Sequence, residues 1–184
     1  MTAIRTNGWR SPPPAWQGAD MAEVVVPLAV RDLTEADLPA LGWYGSATGL
    51  SGVAEAIQRA RRGEVDYLAV CPPSGLPVAV GGVDYTKPPD AATIWQLSVQ
   101  AELRSCGIGT VLIEALEQRA RERGLGLVEL GVDDNRSRPR ALYERLGYVV
   151  SGHEHGSWDE EAPDGTVARY ETRITLLRKQ LVVG

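Results

Sequence analysis

The sequence predicts an α/β fold in a single domain, one mixed β-sheet flanked by helices on both faces. Three observations predict it. A chain of 184 residues can bury one sizeable core, and 43% apolar with 23% charged residues is a globular composition. Strand-like and helical runs follow one another in the order β-α-α-β-β-β-α-β-α-β-β, with no internal repeat. A glycine-rich turn, Arg104-Ser-Cys-Gly107-Ile-Gly109, joins a strand-like run to the most clearly amphipathic helical run of the chain.

Residues 1–21 hold Gly8, Pro12, Pro13, Pro14 and Gly18 and read as a flexible N-terminal arm before a domain spanning 22–184. Trp9 and Trp16 on that arm are open to two readings, docking on the body or a second subunit, or plain exposure. The β-branched run Glu23 to Arg31 predicts a first strand, with Pro27 marking an edge or bulge. Thr34-Glu-Ala-Asp37 is a variant capping box for a short helix toward Leu41. Ser51 reads as the cap of a second helix with Val53, Ala56, Ile57 and Ala60 on one face, ended by Gly63. Tyr67 to Val70 and Val78 to Asp84 pair around the Pro-Pro-Ser-Gly turn at 72–75, and Thr93 to Val99 follows as the next strand. After the glycine turn, Val111, Leu112, Ala115, Leu116 and Ala120 share a helical face, with Glu117 and Arg121 paired on the other side. Leu127 to Val132 is a strand, and Pro139 suits the first turn of a helix reaching Leu146 before Gly147. Tyr148 to Ser151 and Arg169 to Leu177 supply two last strands around an acidic loop, WDEEAPDG.

Composition narrows the function classes. A net charge of −5 argues against a general nucleic-acid binder, which needs a basic surface to release counterions. Cys71 and Cys106 lack metal-ligand spacing and form no disulfide framework, so a reducing cytoplasm is the expected compartment. The longest apolar run, Ala22 to Val30, is interrupted by Glu23 and Pro27 and cannot span a membrane.

A glycine turn that opens a helix gathers unpaired backbone N–H groups at the positive end of the helix dipole, a seat for phosphate or pyrophosphate. A dinucleotide turn, G-x-G-x-x-G with an acidic residue some 20 positions on, is the nearest rival. Gly107, Gly109 and Glu129 fit it, but Leu112 stands where glycine or alanine is needed, and too little chain follows.

A second constellation, Asn135…Ala141-Leu-Tyr143-x-x-x-Gly147-Tyr148, follows the next strand directly. In order with Arg104-x-x-Gly107-x-Gly109, it resembles the GNAT superfamily of acyl-CoA N-acyltransferases. The specific match covers residues 93–150, and the flanking element order is compatible over 23–177. The resemblance implies a V-shaped splay between the fourth and fifth strands. It also implies acetyl-CoA as co-substrate, with no metal, and a possible homodimer. Backbone N–H groups of Arg104, Ser105, Cys106, Gly107, Ile108, Gly109 and Thr110 would then hold the pyrophosphate, and Leu97 and Val99 the pantetheine arm. Asn135 matches the position that contacts the arm, with Ser137 as a substitute because the Asn135–Tyr143 spacing is one residue longer than usual. Tyr143 matches the position beside the sulfur, where a phenol of reference pKa about 10 can protonate the leaving thiolate.

The implied activity is transfer of an acetyl group to a primary amine, a small molecule favoured over a protein N-terminus or lysine. The fourth strand offers only Gln96 and Ser98 where many members carry a glutamate base. Asp84, Tyr85 and the acids of 159–161 remain as candidate bases, and the missing carboxylate also motivates a non-catalytic acyl-CoA sensor as the alternative. Other residues carry paired readings. Arg136, Arg138 and Arg140 reach the 3′-phosphate or form a solvated loop, and Trp43 and Tyr44 line the acceptor pocket or pack in the core. His153 and His155 form a surface pair or lie near substrate, and Cys106 reads as filler rather than nucleophile.

Overall fold

A computed structural model describes residues 25–45, 47–87, 90–135, 137–161 and 166–182; the expected N-terminal arm lies outside them. The elements are β1 (Ala29–Asp32), a 3-10 helix (Glu35–Leu41), α1 (Ala47–Arg61), β2 (Val65–Cys71), β3 (Ala79–Asp84), β4 (Ala92–Val99) and a 3-10 turn (Ala101–Leu103). They continue with α2 (Ile108–Glu122), β5 (Leu127–Asp133), α3 (Ser137–Arg145), β6 (Val149–Glu161) and β7 (Val167–Gln180). Seven strands form one sheet in the order β1-β2-β3-β4-β5-β7-β6, antiparallel except for β4 beside β5.

Two apolar layers sandwich the sheet. On one face Ile108, Leu112, Ile113, Leu116 and Ala120 of α2 pack on Leu68, Val70, Ile94, Val128 and Leu130. On the other, Val53, Ala56 and Ile57 of α1 cover Tyr67, Ala69 and Val80, with Leu33 and Leu41 beside them. The capping box forms: Asp37 accepts from the Thr34 N–H and hydroxyl at 2.9 Å, and Arg31 grips the same carboxylate.

Four expectations change. β1 begins only at Ala29, because Pro27 has no N–H to give a ladder. α1 starts at Ala47, so Ser51 sits inside the helix; packing of its apolar face on the sheet overrides the cap signal. Glu117 is buried rather than exposed: besides Arg121 at 3.2 Å, it takes Lys179 at 2.7 Å and the Tyr148 hydroxyl at 3.0 Å. The last hairpin is far longer, with strands of 13 and 14 residues. The expected acidic loop begins as strand: Trp158 stacks on Tyr170 at 4.9 Å and Asp159 meets Arg169 at 3.1 Å across the ladder.

The sheet is open in one place. β4 and β5 pair only through Ala92–Val128 and Thr93–Glu129, and their C-terminal halves then diverge. Both α2 and α3 begin after that open end, α2 beyond the 3-10 turn and the glycine turn and α3 after a short turn from β5.

Candidate active site

The open edge of β4 is shaped by a bulge. Val80 faces Ser98 and Gly82 faces Trp95, so β4 carries one extra residue, and Gln96 takes a φ of 53° to fit it. Side chains of glutamine rarely adopt that backbone, which marks the place as over-determined by its surroundings. Gln100 donates its N–H to Val78, just before β3. By alternation the backbone groups of Leu97 and Val99 face the other way, into the splay, where β5 no longer pairs with them. A gap lined by strand groups that no neighbouring strand pairs is a place for an extended, amide-bearing ligand.

The turn that follows leads into a helix start with free backbone donors. Ser105 and Gly107 have φ of 66° and 83°, and Gly107 caps α2. Arg104 donates its N–H to Ala101, and Thr110 and Val111 donate theirs to Gly107; the N–H groups from Ser105 to Gly109 between them have no backbone acceptor outside the helix. These point out of the helix start together, at the positive end of its dipole. Arg104 itself turns back: its Nε donates to the Val99 carbonyl at 3.2 Å, fastening the turn to β4 and leaving the Val99 N–H free of that contact. Cys106 is exposed, with its thiol on the Arg104 carbonyl at 3.8 Å. A Cβ on Gly109 would touch Leu142 at 3.6 Å and Val99 at 3.8 Å, so α2, α3 and β4 converge on that residue at ordinary contact distance.

α3 brings Tyr143 to the same end. Its ring is buried edge-on to Tyr148 at 5.8 Å, and burial pushes the phenol up to about 12. Among the described residues, none on α3 has a side-chain oxygen both sealed from solvent and unpartnered. The Tyr143 hydroxyl, with no hydrogen bond to the protein, therefore reaches the accessible surface. Asn135 is placed at the tip of β5, but its amide nitrogen donates to the Tyr170 hydroxyl at 2.9 Å and to Thr172 at 3.2 Å. Asp133 accepts from the same two hydroxyls, at 2.9 and 2.7 Å, and from the Asn135 N–H. This network locks β5 to β7 at the splay. The sequence carried no signal for it, since its two halves, Asp133 with Asn135 and Tyr170 with Thr172, are 35 residues or more apart.

The base candidates fare differently. Asp84 pairs with Thr93 at the closed end of the splay, about 20 Å along β4 from Val99 at 3.3 Å per residue. Burial alone would raise its pKa, but Thr86 and the Arg59 guanidinium at 2.8 Å outweigh that and hold the carboxyl below its usual range. Tyr85 donates to Asp66 at 2.6 Å, and burial followed by that carboxylate pushes its phenol far up. Neither can serve chemistry at the open end. Asp159 is exposed and paired with Arg169. Glu129, the acid of the dinucleotide reading, is paired with Arg178 at 3.0 Å at the closed end. Arg136 lies outside the described residues, and Arg140 pairs with Glu144 at 2.9 Å on the exposed side of α3.

His153 contacts Thr175 at 3.2 Å and His155 lies 3.9 Å from Glu171, both on the hairpin face opposite the Trp158–Tyr170 stack. No cluster of three or more potential metal ligands occurs among the described residues, nor a helix long and apolar enough to cross a membrane. Trp43 donates to the Pro77 carbonyl at 3.1 Å, and Tyr44 stands edge-on to it at 6.1 Å.

Residues 43–148 match the model of the acetyltransferase (GNAT) family. Among solved structures, the chain is similar to ribosomal-protein-alanine N-acetyltransferase from Brucella melitensis, with TM-score 0.66 and 21% identity over 83% of this chain and 99% of that one. A GNAT superfamily phosphinothricin acetyltransferase from Sinorhizobium meliloti, in complex with AcCoA, gives TM-score 0.66 and 15% identity over 85% and 90%. The PaiA N-acetyltransferase from Thermoplasma acidophilum, in complex with coenzyme A, gives 0.60 and 15% over 84% and 99%. No curated protein sequence matches the chain. Identities this low speak for the shared fold alone, and the two named acceptors, a ribosomal protein and phosphinothricin, differ in kind.

Proposed function

The chain belongs to the GNAT family of acetyltransferases, and from that premise we propose that it moves the acetyl group of acetyl-CoA directly to a primary amine of a small molecule. The observation that carries the reading is the splay itself. What supports it is a β4 edge that β5 leaves unpaired, a helix start whose N–H groups lack backbone acceptors, and Tyr143 on the helix that follows β5.

Acetyl-CoA supplies an acetyl group activated as a thioester. The N–H groups from Ser105 to Gly109 and the start of α2 hold its pyrophosphate, and the edge groups of Leu97 and Val99 hold its amide-bearing arm. An edge N–H beside the Gln96 bulge donates to the carbonyl oxygen as charge grows on it. The amine attacks in neutral form, so a nitrogen–carbon bond forms and the carbon–sulfur bond breaks. Its surplus proton passes to solvent, and Tyr143 gives a proton to the departing sulfur and recovers one from solvent. The amine enters on the α1 face, where Gly52 of α1 lies against the Gln96 amide. That cover over β4 favours a compact acceptor.

Thiol release from acetyl-CoA over a panel of small amines and N-terminal peptides tests the reading, with release expected for at least one small amine. A second reading, a non-catalytic acyl-CoA sensor, is favoured by the missing carboxylate on β4 and the engagement of Asp84 and Tyr85 elsewhere. Coenzyme binding without release for any amine would establish that one instead.

A further inference from the structure

The Tyr143 hydroxyl has no hydrogen bond to the protein, so the packing of its ring sets where the oxygen points. That ring meets Tyr148 edge to face at 5.8 Å, and the end of α3 imposes the contact. Gly147, at φ 90°, turns the chain back on the helix. The Tyr148 N–H then donates to the Tyr143 carbonyl at 3.0 Å, and the Gly147 N–H donates to that of Glu144 at 3.1 Å. These two bonds make a Schellman end, which brings the side chain just after the glycine against the one four residues before it. The spacing Tyr143-x-x-x-Gly147-Tyr148 is thus a ring pair fixed by the backbone.

Tyr148 is in turn tied to the helix that starts at the glycine turn. Its hydroxyl donates to Glu117 of α2 at 3.0 Å, inside the core. Burial, then the charge of Glu117, pushes the Tyr148 phenol far up, so it keeps its proton and goes on donating. Glu117 already has two cations, Lys179 at 2.7 Å and Arg121 at 3.2 Å, so its charge is balanced without a phenol. What the phenol bond adds is a fixed direction for the Tyr148 ring, and Lys179, 5.5 Å from the centre of that ring, backs it from β7. Glu117 stands about 14 Å along α2 from Ile108 at 1.5 Å per residue. An unbroken path of contacts therefore runs from the start of α2 through Glu117 and Tyr148 to Tyr143.

We propose that Tyr148, anchored on Glu117, is a positioning residue that holds the Tyr143 ring with its hydroxyl at a set place relative to the start of α2. The proposal rests on the transferase reading above, with Tyr143 as its acid. In that reading the thioester sulfur is placed by the β4 edge on one side and by the pyrophosphate seat at α2 on the other. An acid tied to α2 is located in the same frame as the atom it must protonate. A misplacement of about 1 Å at such a group lowers the rate of the step and leaves coenzyme affinity alone.

Acetyl transfer to the best amine of the panel, with kcat and KM measured separately, tests this. Tyr148→Phe keeps the ring and the helix end and removes the anchor. It is expected to lower kcat about tenfold with the KM for acetyl-CoA unchanged, and to lower nothing further in protein that already carries Tyr143→Phe. Glu117→Leu should act like Tyr148→Phe, and Glu117→Gln, which keeps an oxygen to accept the bond, should recover most of the loss. An equal loss in both backgrounds, or a lower thermal midpoint with kcat unchanged, would leave Tyr148 a core residue only and overturn the proposal while the transferase reading stands. If Tyr143→Phe alone leaves kcat intact, the acid assignment falls and takes the proposal with it. If no amine releases thiol, the transferase reading fails on its own, and 3-fluorotyrosine NMR of the coenzyme-bound protein decides. The Tyr143 line, identified by its loss in Tyr143→Phe, should be single in the wild-type protein and broadened or split in Tyr148→Phe; a line that stays sharp and single sinks the proposal.

Discussion

Tyr143 shows how one side chain is tuned by where it stands. Its ring is inside, its oxygen is at the surface, and burial holds the phenol at about 12. A group raised that far keeps its proton throughout the usable alkaline range, so it can donate but does not compete as a base. Tyr143→Phe is expected to lower kcat about 10²–10³-fold, the usual worth of a positioned acid, while the affinity for acetyl-CoA holds. The pH profile supplies the independent check. With β4 carrying no carboxylate and Asp84 and Tyr85 engaged at the closed end, kcat/KM should climb with the neutral fraction of the amine and level off near its own pKa. A descending limb below pH 10 would contradict the tyrosine's assignment. Gly107 makes a second residue-scale case. At φ 83° it accepts the bonds from Thr110 and Val111 and starts the helix. Gly107→Ala should cost about 1 kcal/mol in stability and weaken coenzyme binding by more than acceptor binding, measurable by denaturation and by calorimetry.

At the scale of elements, α2 is joined to β7 and to the residue just before β6 by a charge that the core encloses. Glu117 is 2% exposed at its side chain and is held by Lys179, Arg121 and the Tyr148 hydroxyl. Removing one partner leaves the carboxylate under-compensated. Lys179→Ala should therefore lower the unfolding free energy by about 2–4 kcal/mol, whereas Arg140→Ala, at an exposed helix pair, should lower it by under about 1. Urea denaturation of the two variants separates these. Glu117 also marks the limit of what periodicity reveals. The runs around β4, α2 and β5 were legible because apolar spacing there matches one period and the glycines bound it. The same rule placed Glu117 on the solvent side, since nothing in a one-dimensional pattern announces a lysine 62 residues away. The long hairpin was hidden for a related reason. Its strands carry few apolar residues, and cross-strand pairs such as Trp158–Tyr170 and Asp159–Arg169 exist only once the register is set. The site was read in the same uneven way. The turn and Tyr143 stood out by spacing, but the Asp133–Asn135–Tyr170–Thr172 network belongs to tertiary structure.

For the whole molecule, the sheet is continuously paired at its two flanks and open at its middle, and ion pairs tie the flank around β1 to β3. Arg31 with Asp37 fastens β1 to the 3-10 helix at 2.6 Å, and Arg59 with Asp84 fastens α1 to β3 at 2.8 Å. These pairs fix how stability should depend on acid. The Arg31 guanidinium and the Thr34 donors outweigh burial and hold Asp37 at about 2, against 3.8 for the free side chain. Asp84 is also held below its usual range. A carboxylate depressed in the folded state binds protons more readily once unfolded, so its contribution is complete above about pH 4 and is lost as the pH falls through the folded value. Because Arg31 is more than a third exposed, the Asp37 share is discounted for solvent to about 1–2 kcal/mol. The urea midpoint should therefore change little between pH 7 and 5 and fall between pH 4 and 2. Asp37→Asn should start lower at pH 7 and fall less over that window, whereas an equal fall in both would place the acid lability elsewhere. Coenzyme binding at pH 5 should be alike in both proteins, since Asp37 lies on the sheet flank away from the β4–β5 gap.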